Sequence, residues 1–497
     1  MAERIAIIGA GIGGLALSLA LKKTDREIIL IERDAEPPDI APEEAFDRWQ
    51  RPGVPQFRHA HILLARSQTL LRDAHPEVHA DLLRAGLELS TMREVLLPAH
   101  RDHYSAEASD ADLQHFWGRR PTFEYVLRRH VARLPNVRLL CSARVVGLDA
   151  EATDDTVVVR GVKVSRAGGE EIVPADVVID ASGSRTKSPE WLDALGVKTE
   201  KDRHPSRFVY ACRHYRLRDP NASPPRQDGS GNLDFLGYAT FYEEHGHFAL
   251  TFCCPVYEEK LAAAMRRPEG FESLCRQLPV LSRWVAASEP TTTVLGAGLF
   301  ENRWTRYGAT GGRRLLGFFA VGDSHLETNP MYGRGCSAAF VQAHVLADVL
   351  IAAKDPAERA ARYYARVRTA LKPHYELSIT VDRMYHVRAR STRGEPLTAV
   401  EKFMNVGYEL GWLPATQESL LIAKELVKSV EMREISSLGT RIAVIVRVLL
   451  ALMRTLLGLR QQRPNTPNLP QRRDVLRLLP AHEKGGGPAA AEASLDP

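Results

Sequence analysis

The 497-residue chain lacks a strong charge of either sign: 66 Lys and Arg stand against 61 Asp and Glu, a net charge of +5. So small a bias leaves no electrostatic footprint for nucleic acid, and no nucleic-acid motif offsets it. Cysteine is sparse. Cys141, Cys212, Cys253, Cys254, Cys275 and Cys336 show neither metal-site spacing nor a CxxC pair, so reduced thiols and no bound metal are expected. The first strand begins within a few residues of Met1, which leaves no room for a signal peptide and predicts a cytoplasmic protein. A clean membrane span is also missing. The strongest candidate, Thr440 to Leu459, has eleven Ile, Val and Leu residues between 442 and 459. These favour insertion by about 5 kcal/mol, and Arg447 and Arg454 oppose it by roughly 5–7 kcal/mol. On a helix, Ile442, Ile445, Val446, Leu449, Leu452, Met453 and Leu456 share one face and the two arginines the other. Such an amphipathic helix either packs on the protein's own core or makes peripheral membrane contact.

A hydrophobic content of 44% with 26% charged residues fits a soluble globular chain. Its length exceeds one ordinary core and predicts two domains plus accessory segments.

The organising stretch is Glu3 to Asp34. Arg4-Ile5-Ala6-Ile7-Ile8 is a buried-strand run that passes into Gly9-Ala10-Gly11-Ile12-Gly13-Gly14 and then an apolar helix through Leu21. Gly9 permits the tight turn, Gly11 lets backbone approach a pyrophosphate, and Gly14 allows close helix–sheet packing. The helix N-terminus offers free N–H groups to phosphate. A second strand, Glu27 to Ile31, ends at Glu32, where a carboxylate can accept hydrogen bonds from a ribose diol. The unit predicts dinucleotide binding and leaves FAD and NAD both open.

The segment after the second strand is Pro-rich and leads to Arg51-Pro-Gly-Val-Pro-Gln-Phe-Arg-His-Ala-His61. His59 and His61 point the same way on an extended segment, but no nearby ligand completes a metal site. Residues 62–74 and 77–87 read as helices. Another opens near Gly118, with Pro121 in its first turn and Arg120 at its entrance, placed for a phosphate. From Val137 the period changes to a strand meander that turns at Gly168-Gly169 and ends in Val177-Val-Ile-Asp180-Ala-Ser-Gly183, a second small-residue turn suited to a cofactor. Residues 206–256 alternate as antiparallel strands, with a hairpin at Gly246, and read as a substrate platform. The chain then returns through Arg314 to Ala320 to Gly322-Asp323, where a carboxylate can bind a sugar hydroxyl. Pro330 fixes a turn, and Gly333 and Gly335 open a helix running to about Ala353.

The three segments Gly9–Glu32, Asp180–Gly183 and Gly322–Gly335, together with Arg120, resemble the FAD-dependent monooxygenases of the aromatic-hydroxylase and squalene-epoxidase type over about residues 1–350. The variant Gly53-Val-Pro-Gln-Phe-Arg-His-Ala-His61 looks most like bacterial flavin epoxidases and hydroxylases acting on polyketides or isoprenoids. The resemblance implies an α/β fold: a doubly wound FAD-binding domain, an inserted, mainly antiparallel substrate domain and a C-terminal helical region. The expected division is FAD-binding at 1–199 and 301–354, substrate domain at 200–300, helical region at 355–460 and a mobile tail at 461–497. It implies that Gly9, Gly11, Gly14, Glu32, Arg33, Arg120, Gly183 and Asp323 contact FAD, with Pro330, Gly333 and Gly335 beside the isoalloxazine. His59, His61 and His325 become candidates for catalytic tuning or proton transfer. The implied activity is transfer of one oxygen atom from O2 to a lipophilic small molecule, by epoxidation or hydroxylation, through a flavin C4a-hydroperoxide.

Two departures from that pattern matter. The usual Asp-Gly turn is Ser182-Gly183, and the usual Ala-Ala-His is Ser324-His325-Leu326. NAD(P)H is then either a direct electron source or an indirect one, acting through a separate flavin reductase. The rival enzymatic reading is an FAD-dependent reductase or desaturase of prenyl chains, and the rival from another class is a non-catalytic dinucleotide-binding regulator. A halogenase is disfavoured by the absence of Trp-x-Trp-x-Ile-Pro.

Overall fold

The structure, a computed structural model, describes residues 2–96, 98–101, 103–219, 221–222, 229–298, 300–308, 311–409, 417–433, 439, 442, 446 and 470–480. The stretch from Thr440 to Leu459 lies outside the described residues apart from Ile442 and Val446.

Its centre is a parallel sheet of five strands in the order Phe318–Ala320, Val177–Asp180, Arg4–Ile8, Glu27–Ile31 and Val137–Leu140. Ile- and Val-rich runs suit strands buried on both faces, and Ile5, Ile7, Ile28, Leu30, Val178 and Ile179 are all fully buried. Register then positions the site. Ile8 lies opposite Ile31 and Asp180, and Asp180 lies opposite Ala320, so three strands end level with one another. The turns after them, at Gly9, Ala181 and Val321, share one edge of the sheet, where ligands of open α/β sheets bind.

One face carries the helices Ile12–Ala20, Arg120–Ala132 and Arg334–Ala352. The last is apolar and long enough to span a membrane, yet it packs inside this core against the first. The other face differs from the doubly wound expectation. In place of a second helical layer it is covered by an antiparallel meander, Arg144–Ala152, Thr156–Arg166 and Gly169–Pro174, with one short helix, Ser188–Ala194. The reason is local: between Leu140 and Val177 the chain is Val-rich and alternating, so it crosses back as strands rather than as a helix. Val137–Leu140 belongs to the parallel sheet, not to the meander, because it pairs with Glu27–Ile31.

The expected helices at 62–74 and 77–87 are trimmed. Ile62–Leu63 and Glu88–Leu89 both pair with Phe116–Trp117, leaving helices Ala65–Ala74 and Pro76–Arg84. Gly86, at φ +94°, ends the second of these.

Residues 208–298 form a separate antiparallel sheet. Its main strands are Gly237–Tyr242, His247–Pro255 and Phe208–Leu217, and Ser288–Pro290 and Leu295–Gly298 pair along the far edge. Its outer face packs on the helices Glu259–Met265, Pro268–Gln277 and Pro279–Ala286. The strand Thr199–Pro205 pairs with Glu301–Tyr307 over seven residues and carries the chain into and out of this unit. The 37-residue helix Pro356–Thr392 starts at Asp355, whose carboxylate accepts from the Glu358 N–H at 2.7 Å, and packs along Arg334–Ala352. Of the tail expected to be mobile, residues 461–469 and 481–497 lie outside the described residues. The helix Arg472–Arg477 docks on the outer helices of the antiparallel sheet, with Val475 buried and Arg472 paired to Glu258 at 2.9 Å.

Candidate functional site

At the shared sheet edge, close approach decides which residues can stand in the turns. A Cβ on Gly9, at φ +101°, would lie 2.7 Å from the Ala181 carbonyl oxygen, so glycine lets the first turn pass against the second. A Cβ on Gly14 would overlap the Gly9 carbonyl oxygen and come within 3.2 Å of Leu30 on the neighbouring strand, so the close approach falls on the turn as well as on the sheet expected for it. Around Gly11 and Gly183 there is open space: nothing lies within 4 Å of a Cβ built on either. Gly333 takes the left-handed conformation at φ +63° and abuts Ile62, and a Cβ on Gly335 would lie 3.8 Å from Asp323 Oδ1. Pro330 opens the turn Pro330–Tyr332, and Asn329 caps it by accepting from the Met331 N–H at 3.1 Å.

Around Glu32 this edge is charged and buried. Glu32 is 4% exposed; its Oε2 accepts from the Ala10 N–H and its Oε1 from the Asp34 N–H, both at 3.0 Å. Arg51 pairs with Glu32, Asp34 and Glu124 and lies over the Trp49 ring. Arg128, equally buried, donates to Cys141 Sγ at 3.1 Å; among the described residues its Nε and Nη1 have no hydrogen-bond partner, Nη1 lying 4.0 Å from Glu32 Oε2. Buried guanidinium donors without acceptors are costly and mark a place where a ligand's oxygens fit. Arg33, by contrast, is exposed and donates to the Gly53 carbonyl oxygen at 2.5 Å.

Further along this edge, Arg120 sits at its helix entrance, with Nε on Glu124 at 3.2 Å and Nη1 on His61 Nε2 at 3.1 Å. His61 donates from Nδ1 to the His59 carbonyl oxygen at 2.7 Å. Burial and the Arg120 charge hold its pKa down to about 3, so it is a neutral acceptor for Arg120. Asp323 is half-buried, and burial holds its carboxyl above the ordinary range against the pull of Arg120 and Arg303. Glu327, beside it, is pushed up to about 8 by burial and then by the Asp323 charge. Arg303 bridges the pair, 2.8 Å from Glu327 Oε2 and donating to the Asp323 carbonyl oxygen at 3.3 Å.

Facing the turn at Pro330 is the inner face of the antiparallel sheet. Side chains alternate along a strand, so Tyr210, Cys212 and His214 share this face with their cross-strand neighbours Cys253, Thr251 and Ala249. The Tyr210 hydroxyl donates to Asn329 Oδ1 at 2.5 Å, and its ring packs with Phe300, Met331 and Tyr385. Asn329 is held in turn by Asp382 of the long helix. That carboxylate accepts from Asn329 Nδ2 at 2.7 Å, Asn302 Nδ2 at 2.7 Å and the Tyr332 hydroxyl at 2.6 Å. Sheet, turn and C-terminal helix meet in one buried polar network.

The structure brings Gly9, Gly11, Gly14, Glu32, Arg120, Gly183, Asp323, Pro330, Gly333 and Gly335 around one edge of the sheet, with His59 and His61 on the loop that meets Arg120. It sets His325 apart. That ring is 1% exposed, donates from Nδ1 to the Thr305 carbonyl oxygen at 2.8 Å, and packs among Trp304, Tyr363 and Tyr364. Sequence reading missed Arg51, Arg128, Tyr210, Arg303 and Asp382. The period-two run Phe208-x-Tyr210-x-Cys212-x-His214 carried a legible signal, whereas Asp382 in a charged helix carried none. Among the described residues no three His, Cys, Asp or Glu side chains gather as a metal site.

No protein-family model matches the chain. Protein Rv3254 of Mycobacterium tuberculosis is 26% identical over 360 residues, which are 69% of this chain and 71% of that protein. PqsL of Pseudomonas aeruginosa, a probable FAD-dependent monooxygenase, superposes with a TM-score of 0.57 at 17% identity over 79% of this chain and 96% of its own. The flavin-dependent brominase Bmp2 superposes at 0.60 with 15% identity, covering 92% of this chain and all of its own (100%). The p-nitrophenol 4-monooxygenase PnpA of Pseudomonas putida gives 0.55 with 14% identity, covering 87% and 99%. What is shared at these identities is the mixed α/β fold.

Proposed function

We propose that the chain is an FAD-dependent monooxygenase that places one oxygen atom from O2 into a lipophilic organic molecule, by hydroxylation or epoxidation. The observation that carries this reading is the convergence of glycine turns on one sheet edge, with a carboxylate following two of its strands, Glu32 and Asp323. The residues fit the dinucleotide. Gly11 and Gly183 leave room for backbone to meet a pyrophosphate, Arg128 has donors to spare, and Glu32 has acceptor sites beyond those that Ala10, Asp34 and Arg51 use. The neighbours PqsL and Bmp2 are themselves described as flavin-dependent.

Bound FAD would supply the oxygen-transfer chemistry. The chain's own residues do the rest. Arg120 gives the cleft a fixed positive charge, and its hydrogen bond to His61 holds that ring neutral. The Asn329–Tyr332 turn, fixed by Asp382, presents the N-terminus of the helix Arg334–Ala352 toward any negative charge in the cleft. Tyr210, Met331, Phe300 and the inner sheet face make an apolar wall that excludes water from the reacting atoms. Because Ser182-Gly183 replaces the Asp-Gly turn, the electrons are assigned to NADH acting through a separate flavin reductase, with direct NAD(P)H docking as the alternative. Peripheral membrane contact through residues 440–459 belongs to the same proposal.

The deciding experiment is reconstitution of the full chain with FAD. The product is a yellow protein that, given NADH and a flavin reductase, incorporates label from 18O2 into one of a panel of aromatic, polyene and isoprenoid compounds. Halide incorporation without 18O label would assign a halogenase, and reduction of a prenyl chain without oxygen uptake would assign a reductase. A protein that takes up no FAD would refute all three.

A further inference from the structure

One chemistry-bearing cluster is not used by the cofactor cleft. His214 is buried on the inner sheet face, with Nδ1 2.9 Å from Glu243 Oε1 and Nε2 2.8 Å from the Arg58 carbonyl oxygen. A carboxylate and a carbonyl both accept, so both ring nitrogens carry protons and the ring is an imidazolium with Glu243 as its counter-ion. Burial opposes that charge, but the Glu243 carboxylate outweighs it and pushes the His214 pKa up to about 10. Cys212, two residues earlier on the same strand face, has its Sγ 3.5 Å from His59 Nδ1, and the His214 charge acts on it as well. Burial by itself raises a thiol pKa, as it does for Cys253, Cys254 and Cys275. At Cys212 the two histidines overcome it and bring the pKa down to about 6.

Cys212 is itself 1% exposed, but the sheet face around it is not sealed. Its cross-strand neighbours Thr251 and Leu295 point to the same face and are half-buried, not sealed. Thr251 Oγ1 is buried without a hydrogen-bond partner among the described residues, a polar atom left for a ligand to meet. One register step away, Tyr210 closes the wall against Met331 and the Pro330 turn. The charged or titratable groups around the sulfur are His214 on its own strand, Glu243 behind it, and His59 and His61 on the facing loop, with Arg120 beyond His61.

We propose that Cys212 is a nucleophilic thiolate, held by Glu243, His214 and His59, that adds to an electron-poor carbon–carbon double bond conjugated to a carbonyl in a molecule bound on this sheet face. The Sγ–carbon bond forms at the β-carbon as the π pair moves to the α-carbon, which takes up the proton that left the thiol, carried by the His59 ring. Reversal restores the thiol and the double bond, and no oxidant or reductant is consumed. The reaction needs no flavin, so it stands or falls separately from the monooxygenase reading.

The test is N-ethylmaleimide, a small unsaturated imide, added to the full chain with and without FAD between about pH 5 and pH 9, with adducts mapped by peptide mass spectrometry. The expected result is that Cys212 forms the fastest adduct at low pH, with its rate rising through an inflection near 6. In Glu243→Gln, which keeps the side-chain shape, the inflection moves up by about one pH unit or more, because the imidazolium loses its counter-ion. Cys212→Ser removes that adduct and leaves slower labelling elsewhere; should it not fold, the wild-type map and the Glu243→Gln rates decide. A Cys212 that stays unlabelled, an inflection in the ordinary thiol range, or an unchanged profile in Glu243→Gln would each overturn the proposal.

Discussion

Replacing Asp382 tests whether the C-terminal helix holds the turn on which the candidate site depends. Its carboxylate accepts three buried hydrogen bonds of 2.6–2.7 Å, from Asn302, Asn329 and Tyr332. Hydrogen bonds to a charged group contribute roughly 1.5–3 kcal/mol each, but burial holds this carboxyl above its ordinary range, so part of that gain offsets desolvation. Asp382→Ala is therefore expected to cost roughly 3–5 kcal/mol of stability. Asp382→Asn keeps the shape and one acceptor but turns an NH2 toward a donor, at a cost of about 1–3 kcal/mol. Stability alone is not the decisive readout, since any buried network would lose it. Asn329 also positions Pro330 and Met331, so the folded fraction of Asp382→Asn should bind FAD more weakly, by about tenfold for a loss of 1.4 kcal/mol at the turn. Urea melts give the first number and flavin fluorescence quenching the second. If Asp382→Ala unfolds within about 1 kcal/mol of wild type, or if Asp382→Asn binds FAD like wild type, the network does not position the turn.

Two further outcomes follow from individual side chains. Asp323→Ala should purify with little flavin, because losing a charged hydrogen bond costs about 1.5–3 kcal/mol, a tenfold to hundredfold loss of affinity; normal flavin content would remove Asp323 from the cofactor site. His325→Phe should keep its flavin. Burial holds the His325 pKa down to about 4 in the fold against an unperturbed 6.5, so the unfolded chain takes up a proton first as pH falls. Wild type should therefore lose stability relative to the variant between pH 6.5 and 4, by at most about 2 kcal/mol at pH 5, and parallel curves from denaturant melts would refute it.

The shared edge of the parallel sheet was legible because its determinants are local. Gly9, Gly11 and Gly14 sit between a strand and a helix whose periods announce themselves, and the later turns repeat the pattern. What covered the second sheet face was misread: helices were expected from the general form of such sheets, while the Val-rich alternation of 144–174 specified strands. Glu32 stands out in the sequence, but the arginines that neutralise it do not. Arg51 reaches Glu32, Asp34 and Glu124 from a loop, and nothing in a loop's sequence tells where its side chains end. The same holds for Asp382, whose three partners lie 50 or more positions away in sequence. His325 shows the reverse error. Its place after Asp323 suggested chemistry, yet the short 3-10 turn Gly322–Ser324 rotates it into the aromatic packing behind the sheet.

The far C-terminal region bears on the site from outside, and this decides how membrane contact can be tested. Ending the chain at Gly439 would remove the amphipathic stretch 440–459, but also the helix Arg472–Arg477. Arg472 of that helix neutralises Glu258, which is 2% exposed, and the neighbouring Leu478 accepts from Ser273 Oγ at 3.1 Å. Truncation would thus uncover the outer helices of the substrate sheet, and loss of solubility would say nothing about a membrane. Point changes separate the two. Ile442 and Val446 lie one helical turn apart and are 51% and 47% exposed, so neither is committed to the protein's own core. Replacing both with Asn should leave folding and flavin content unchanged while weakening sedimentation with anionic liposomes, since each buried aliphatic side chain contributes about 1.5–3 kcal/mol to burial. If the double variant loses solubility or flavin, these residues serve internal packing. If the wild-type chain does not sediment with liposomes at all, the stretch has no membrane role.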